Sequence, residues 1–482
     1  MVIQQGASPA DRIRLTGHPR IFWLLGGQAA SAIFLVFGFR IAFARLSADS
    51  AAMSGPVPKD SMPPPVTFSE LFRTFLKIGL LSFGGPAGQI ATMHRILVDE
   101  QGWLEEQEFL TALSFCMLLP GPEAMQLATY SGWRLRGVGG GLLAGLLFVI
   151  PGAIVILALA MLYTTYGAVD WVGAVFLGVK SAVVVIVIEA LLKVANRALK
   201  RRDHRCIAAL AFVAIFFLDA PFPLLVGLAA LYGFFTGSAP DPSPVPGAKI
   251  STARSLRTVA IWLAVWWAPL AALAVTMPGS ILIPVGLFFA KLAVVTFGGA
   301  YAVLAYMAQQ VVGVYHWLDA GQMIDGLGLA ETTPGPLILV TEFVGYLAGF
   351  RQGGIGLGIA AAVLTLWMTF SPCFLWIFAG APYVSRLSGQ PRLRNALAAV
   401  TATVVGVILN LTLWFALHVL FGEVARMQAG WLVLWRPDIA TWNPVAFALT
   451  GLAALLLLRL HMGLGRVLAI SAVAGWLVSA IT

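Results

Sequence analysis

The sequence predicts an all-α polytopic membrane protein, and three observations carry that prediction: scarce charge, long apolar runs, and helix breaks that recur in register. Of 482 residues, 59% are hydrophobic and 11% are charged, and the mean hydropathy is +0.89. Soluble globular chains carry about 25% charged residues, so this chain lies outside that class. Many of its apolar runs approach the roughly 20 residues that cross a bilayer core. The length therefore reads as about 13 transmembrane segments and not as several soluble domains.

The formal net charge is +9, but its distribution does not describe a nucleic-acid surface. Arg197, Lys200, Arg201, Arg202 and Arg205 crowd one short loop between apolar runs, as the positive-inside bias of membrane proteins requires. The three cysteines, Cys116, Cys206 and Cys373, lack metal-ligand spacing and read as buried, inert thiols. Residues 1–66 form an N-terminal extension. It holds an Arg-interrupted apolar stretch, without a cleavage site for a signal peptide, and a Pro-rich tether from Ser54 to Pro65. It is expected to be dispensable, with the organised protein beginning near Thr67.

Candidate spans lie at 71–92, 108–133, 138–163, 169–192, 206–219, 221–236, 257–277, 281–306, 322–348, 354–380, 394–421, 443–458 and 464–481. The polar, Pro-rich stretch from Ser238 to Thr258 marks a join. This divides the chain into a first transmembrane repeat (67–237), a linker with one span (238–280) and a second repeat (281–482).

The repeat is visible in the residues. Phe83-Gly84-Gly85 recurs as Phe297-Gly298-Gly299, at an offset of 297 − 83 = 214. At that offset Lys77 meets Lys291, Met93 meets Met307, Trp103-Leu104 meets Trp317-Leu318, and Pro120-Gly121-Pro122 meets Pro334-Gly335-Pro336. Placing the basic loops in the cytoplasm runs the helix before the first break inward-to-outward and its counterpart outward-to-inward. The expectation is two inverted homologous repeats, a recurrent architecture of secondary transporters.

The breaks are where chemistry is expected. Proline lacks an N–H and clashes with the preceding turn, so a Pro-Gly-Pro inside an apolar run ends one helix and opens another. The new helix starts with free N–H groups and a partial positive charge, which together hold an anion. Broken backbone at membrane depth survives only against protein or a cavity. The candidate anion-binding residues are thus Gly84, Gly85, Pro86, Pro120, Gly121, Pro122, Gly298, Gly299, Pro334, Gly335 and Pro336, with Lys77 and Lys291 supplying positive charge. Lys77 sits near its helix end, where snorkelling explains it, while Lys291 and Lys180 are deeper. Ionisable residues inside spans are costly and usually functional. Glu123, directly after the first Pro-Gly-Pro, and Glu331, just before the second, are the candidates for proton coupling; Glu123 equally fits a helix-capping role. Glu189 and Glu342 are further carboxylates within spans. Gln89, Gln126, Thr129, Tyr130, Thr332, Thr333 and Thr341 offer hydrogen bonds, with helix–helix contacts as their default use.

No phosphate-cradling loop, HExxH or Cys/His cluster occurs, so no enzyme or ATP-driven pump is expected and no cofactor is implied. At Phe83-Gly84-Gly85-Pro86-Ala87-Gly88-Gln89 and Leu119-Pro120-Gly121-Pro122-Glu123-Ala124-Met125-Gln126 the chain resembles the chromate ion transporter family, in its long two-domain form. Thr296-Phe297-Gly298-Gly299 and Glu331-Thr332-Thr333-Pro334-Gly335-Pro336 extend the resemblance over roughly 67–482. The resemblance implies efflux of chromate across the bacterial inner membrane and resistance to it, driven by proton motive force. The residues themselves leave chromate, sulfate or another oxyanion open, as they do an anion channel of the same architecture. A membrane enzyme acting on lipid lacks any nucleophile–base or metal set here. Expected partners are the oxyanion, protons and the bilayer, with a homodimer left open and nucleic acid excluded.

Overall fold

A computed structural model describes residues 66–83, 85–167, 169–237, 252–295, 300–384 and 390–481. Gly84, the Phe297-Gly298-Gly299 break, the N-terminal extension through residue 65 and the Pro-rich join at 238–251 lie outside the described residues.

The first elements are half-length helices. α1 (Phe68–Leu81) opens on a capping box in which the Thr67 hydroxyl accepts the Glu70 N–H and the Glu70 carboxylate accepts the Thr67 N–H at 2.7 Å. Capping boxes of this kind satisfy two orphan donors reciprocally. α2 (Gly85–His94) continues into a wide turn at Arg95–Glu100, and α3 (Glu106–Cys116) follows. α4 (Glu123–Tyr166) is bent at Arg136 and Gly137, where φ/ψ leave the helical region. It consists of a short arm, 123–135, and a long one, 138–166. Then come α5 (Asp170–Ala198), α6 (Arg202–Leu218), α7 (Phe222–Thr236) and α8 (Thr252–Thr276).

The chain from α9 onward repeats this sequence of shapes. α9 (Leu282–Val295), α10 (Ala300–Gly313) and α11 (Ala320–Thr332) stand where α1, α2 and α3 stood. A 3₁₀ turn (Leu337–Leu339) leads into α12 (Val340–Gly380), bent at Gly353 and Gly354. Gly121 has φ 113° and Gly335 φ 94°; Gly102 has φ 59° and His316 φ 52°. Both pairs are 214 residues apart; the angles at Gly121 and Gly335 are ones that only glycine adopts at little cost, while His316 takes the left-handed angle held by Gly102 in the first half. The N–H of Trp103 bonds Leu97 and that of Trp317 bonds Val311, again 214 residues on. The bends at Gly137 and Gly354 are 354 − 137 = 217 apart, so three extra residues precede the second bend. α13 (Pro391–Leu420), α14 (Pro444–Ala454) and α15 (Leu464–Ile481) complete the helices.

The half-length helices do not cross a membrane. α1 has 14 residues and α3 has 11, about 21 and 16 Å at 1.5 Å per residue, against a bilayer core of about 30 Å. Side-chain contacts show each pair doubling back at its break. Lys77 in α1 pairs with Glu100 beyond α2 at 3.1 Å, and Glu108 in α3 pairs with Arg134 at 2.6 Å. In the second half Phe288 stacks edge-on to Trp317 at 5.6 Å, and Arg351 bonds the Trp317 carbonyl at 2.6 Å. Collinear helices would part these partners by about 35–50 Å. Within the intervals 71–92, 108–133, 281–306 and 322–348 the chain therefore doubles back at its break, where the hydropathy suggests single straight spans, and such hairpins are expected to enter and leave by one face. Removing them in pairs leaves the order of the remaining spans intact. The expected result is that single cysteines at Gln101 and Arg134, in a variant without native cysteines, label from the same face, and one at Arg351 from the other. Labelling of Gln101 and Arg134 from opposite faces would restore the spanning reading.

Among the described residues, six helices are long and apolar enough to cross a membrane: Glu123–Tyr166, Asp170–Ala198, Ser255–Thr276, Leu337–Tyr383, Pro391–Leu420 and Leu464–Ile481. The protein is thus an all-α polytopic membrane protein, with one addition to the sequence expectation. An antiparallel hairpin, β1 (Val424–Ala429) with β2 (Leu432–Pro437), stands between α13 and α14. Arg426 of β1 pairs with Asp219, in the turn between α6 and α7, at 2.7 Å. Cys116 and Cys373 are buried, whereas Cys206 is exposed, contrary to the expectation for all three.

Candidate functional site

The two Pro-Gly-Pro breaks act as the rules of proline predict. Pro122 sits at the N-cap of α4 and Pro336 at that of the 3₁₀ turn, and neither helix start receives a side-chain cap. The first N–H groups of a helix have no partner within it. Pro120, Gly121, Pro122, Gly335 and Pro336 are buried, with Pro334, Gly85 and Pro86 partly so.

The breaks of the two halves meet. The Gly335 N–H donates to the Ser82 carbonyl at 2.8 Å, and the Gln89 amide donates to the Gly335 carbonyl at 2.7 Å. The second Pro-Gly-Pro is therefore tied to the first Phe-Gly-Gly. It also presses on the long arm of α4: the Gly335 Cβ position is 3.4 Å from Gly152 Cα. The first Pro-Gly-Pro lies against the other half in the same way. The Gly121 Cβ position is 3.0 Å from Cys373 Sγ, and Gln126 closes the loop by donating to the Pro120 carbonyl at 2.6 Å. Gly152 and Cys373 each follow the proline inside their helix, Pro151 and Pro372. They are 373 − 152 = 221 residues apart, so the two contacts are counterparts.

The lysines lie differently. The Lys77 ammonium is half-exposed in its pair with Glu100, and that of Lys291 lies over the Tyr306 ring at 5.6 Å. Among the described residues neither makes a hydrogen bond or ion pair with a break. Glu123 is partly buried at the first turn of α4. Glu331 is buried and accepts a hydrogen bond from Tyr301 at 2.8 Å. Glu189 pairs with Lys193 one turn on, at 2.8 Å, and Glu342 is buried with Oε2 unpartnered. The hydroxyls of Thr129, Thr332, Thr333 and Thr341 each bond a carbonyl three or four residues back, which fits a local role.

One group escaped the sequence reading. Asp325, in α11, is buried, pairs with Lys180 of α5 at 3.2 Å and accepts from Tyr163 of α4 at 2.8 Å. The depth of Lys180 was the available signal, because a cation so placed needs a counter-charge.

Half-helices whose broken tips meet inside a multi-pass bundle define a membrane transport protein. The family model for the chromate transporter matches residues 69–234 and 283–476, and the chain belongs to that family. It is 32% identical over 427 residues to the chromate transport protein of Pseudomonas aeruginosa, covering 87% of this chain and 94% of the relative. It is 30% identical over 363 residues to the chromate transport protein of Cupriavidus metallidurans, covering 74% and 86%. A probable chromate transport protein of Synechococcus elongatus is 30% identical over 348 residues, covering 72% and 84%. No solved structure matches the chain.

Proposed function

We propose that the chain exports chromate from the bacterial cytoplasm, across the inner membrane, and thereby confers chromate resistance. The substrate is taken from the names of the relatives. The observation that carries the site is the meeting of the uncapped second Pro-Gly-Pro helix start with Ser82 and Gln89, on either side of the first Phe-Gly-Gly break in the opposite half. Two inverted repeats related by a pseudo-twofold axis in the membrane plane would bring all four breaks to one midplane site. The counterpart contacts at Gly152 and Cys373 support that relation.

A doubly charged oxyanion leaves water only if its charge is answered, since desolvating an unpaired ion costs several kcal/mol or more. Gly84, Gly85, Pro86, Pro120, Gly121, Pro122, Gly298, Gly299, Pro334, Gly335 and Pro336 shape the site so that backbone N–H groups answer it. Lys291, and more weakly Lys77, act at long range. Proton gradient coupling would run through Glu123 or Glu331.

Chromate binding to purified protein tests this. Pro122→Ala and Pro336→Ala straighten the helix starts and withdraw about 1–2 kcal/mol of N-terminal attraction, about five- to thirty-fold in Kd. Lys291→Met is expected to weaken binding more than Lys77→Met, beside Lys249→Met as a loop control. Equal affinities throughout would reduce the breaks to hinges. Sulfate and molybdate as competitors separate chromate from oxyanions at large, and flux without a proton gradient separates a carrier from a channel.

A further inference from the structure

We propose that Asp325 is a proton-operated latch between the two halves, taking up a proton to release α11 from α5 and α4 during transport. The inference rests on the oxyanion-transport reading and adds a moving part to it. Asp325 Oδ2 holds both Lys180, at 3.2 Å, and the Tyr163 hydroxyl, at 2.8 Å, so three helices from both sides of the join close on one carboxylate. Its other oxygen, Oδ1, is buried without a partner. A bare carboxylate oxygen in a low-dielectric interior is costly, and a proton is the smallest group that satisfies it. The proton adds to Oδ1, the carboxylate becomes a neutral carboxylic acid, and the Lys180 ammonium loses its counter-charge. No other atom changes hands.

The surroundings suit a latch better than a static brace. Lys180 is partly exposed while Asp325 is buried, so the cation has somewhere to go when released. Asp319 lies six residues nearer the start of α11 and Glu331 six nearer its end, each about 9 Å of helix rise away. Asp325 thus stands between the Arg351-bearing surface and the second Pro-Gly-Pro. The ionisable groups around it are Lys180 on α5, Tyr163 on α4, Asp319 at the N-cap of α11, and Arg351, which lies 3.9 Å from Asp319, on α12. α10 carries no acidic or basic residue, and α13 none between Asn395 and Leu417. α11 itself leads directly into Thr333-Pro334-Gly335-Pro336, so freeing it moves the break that the oxyanion site needs. Helix contact is close here: the Gly328 Cβ position would overlap the Val179 side chain.

Two readouts on the full chain in liposomes test the latch, one of them independent of substrate. A cysteine at Gly321, whose Cβ position is 3.3 Å from Lys180 Nζ, is placed in a variant without native cysteines. Its labelling is read relative to that of a cysteine at the exposed Gly356 in the same background, which cancels the thiol's own gain of thiolate with pH. The relative rate is expected to be low at high pH and high at low pH, and Asp325→Asn is expected to make it high at both. Labelled chromate supplies the second readout: Asp325→Asn keeps counterflow at equal pH and loses accumulation driven by an imposed pH gradient. Should Asp325→Asn fail to insert, the double variant Lys180→Met/Asp325→Asn replaces it with the same expectations, since a buried pair is often replaceable by neutral groups of similar size. Labelling that ignores pH in the parent, or a parental pH profile in either neutral variant, overturns the latch. Absence of chromate counterflow in every form, with labelling still pH-dependent, overturns the oxyanion reading and leaves the latch standing.

Discussion

Gly152→Ala is expected to remove chromate binding and to lower stability by about 1–3 kcal/mol, the usual cost of overpacking. Gly152 lies one residue past Pro151, in the long arm of α4, where the second Pro-Gly-Pro rests on it. A Cβ there would overlap the Pro334 carbonyl oxygen and sit 2.6 Å from the Leu339 side chain. The Leu339 side chain can rotate, but the carbonyl belongs to backbone held on both sides. Gly335 is fixed by its bonds to Ser82 and Gln89, so the loop can retreat only by breaking them. Each such bond contributes about 1 kcal/mol, and more is lost if its donor stays buried and unpaired. Gly356→Ala in α12, where a Cβ meets nothing within 4 Å, is the matched control and is expected to change neither quantity. Chromate titration and thermal melting of the purified variants decide the matter. Unaltered binding by Gly152→Ala would detach the packing of this loop from the site.

How far the sequence reveals this arrangement depends on which physical rule each element obeys. The Pro-Gly-Pro breaks are legible because proline's missing N–H and fixed φ act within a few residues. The 214-residue register is legible too, and the paired angles at Gly121 and Gly335 are its backbone expression. The re-entrant course is not, because hydropathy is a sum that carries no direction. α1 and α2 together imitate one span over 71–92, and only the Lys77–Glu100 contact shows the reversal. The β-hairpin was hidden because its strands are six residues each and one is mostly exposed, leaving little periodic signal. Asp325 went unnoticed for a different reason. A carboxylate five residues into a helix resembles a solvated end group until the fold brings Lys180 and Tyr163 onto its Oδ2.

Gly178→Ala is expected to loosen α15 from α5, again at about 1–3 kcal/mol, with protein recovered from the membrane falling accordingly. Lipid tails are as apolar as the helices, so helices associate in a bilayer through close packing, and small residues let backbones approach. At this crossing the approach is reciprocal. A Cβ on Gly178 would overlap the Ser471 carbonyl oxygen and lie 2.6 Å from its carbon, while one on Gly475 would overlap the Ala174 carbonyl oxygen. Neither obstacle is a side chain that can turn aside, so the axes must separate, and the buried Val467, Leu468 and Ser471 face would lose its contacts. Because both glycines serve one interface, Gly178→Ala and Gly475→Ala together should cost less than the sum of the two. Gly173→Ala, in the same helix with open space around its Cβ position, is expected to leave melting unchanged. Thermal melts of the three single variants and the double decide this, and equal stability of Gly178→Ala and Gly173→Ala would mean that α15 is held elsewhere. Lys180 follows Gly178 by two residues on α5 and holds Asp325 of α11, so the Gly178 variant is also expected to blunt the pH dependence of labelling at Gly321. A helix that no longer holds its neighbour cannot offer α11 a fixed partner to release.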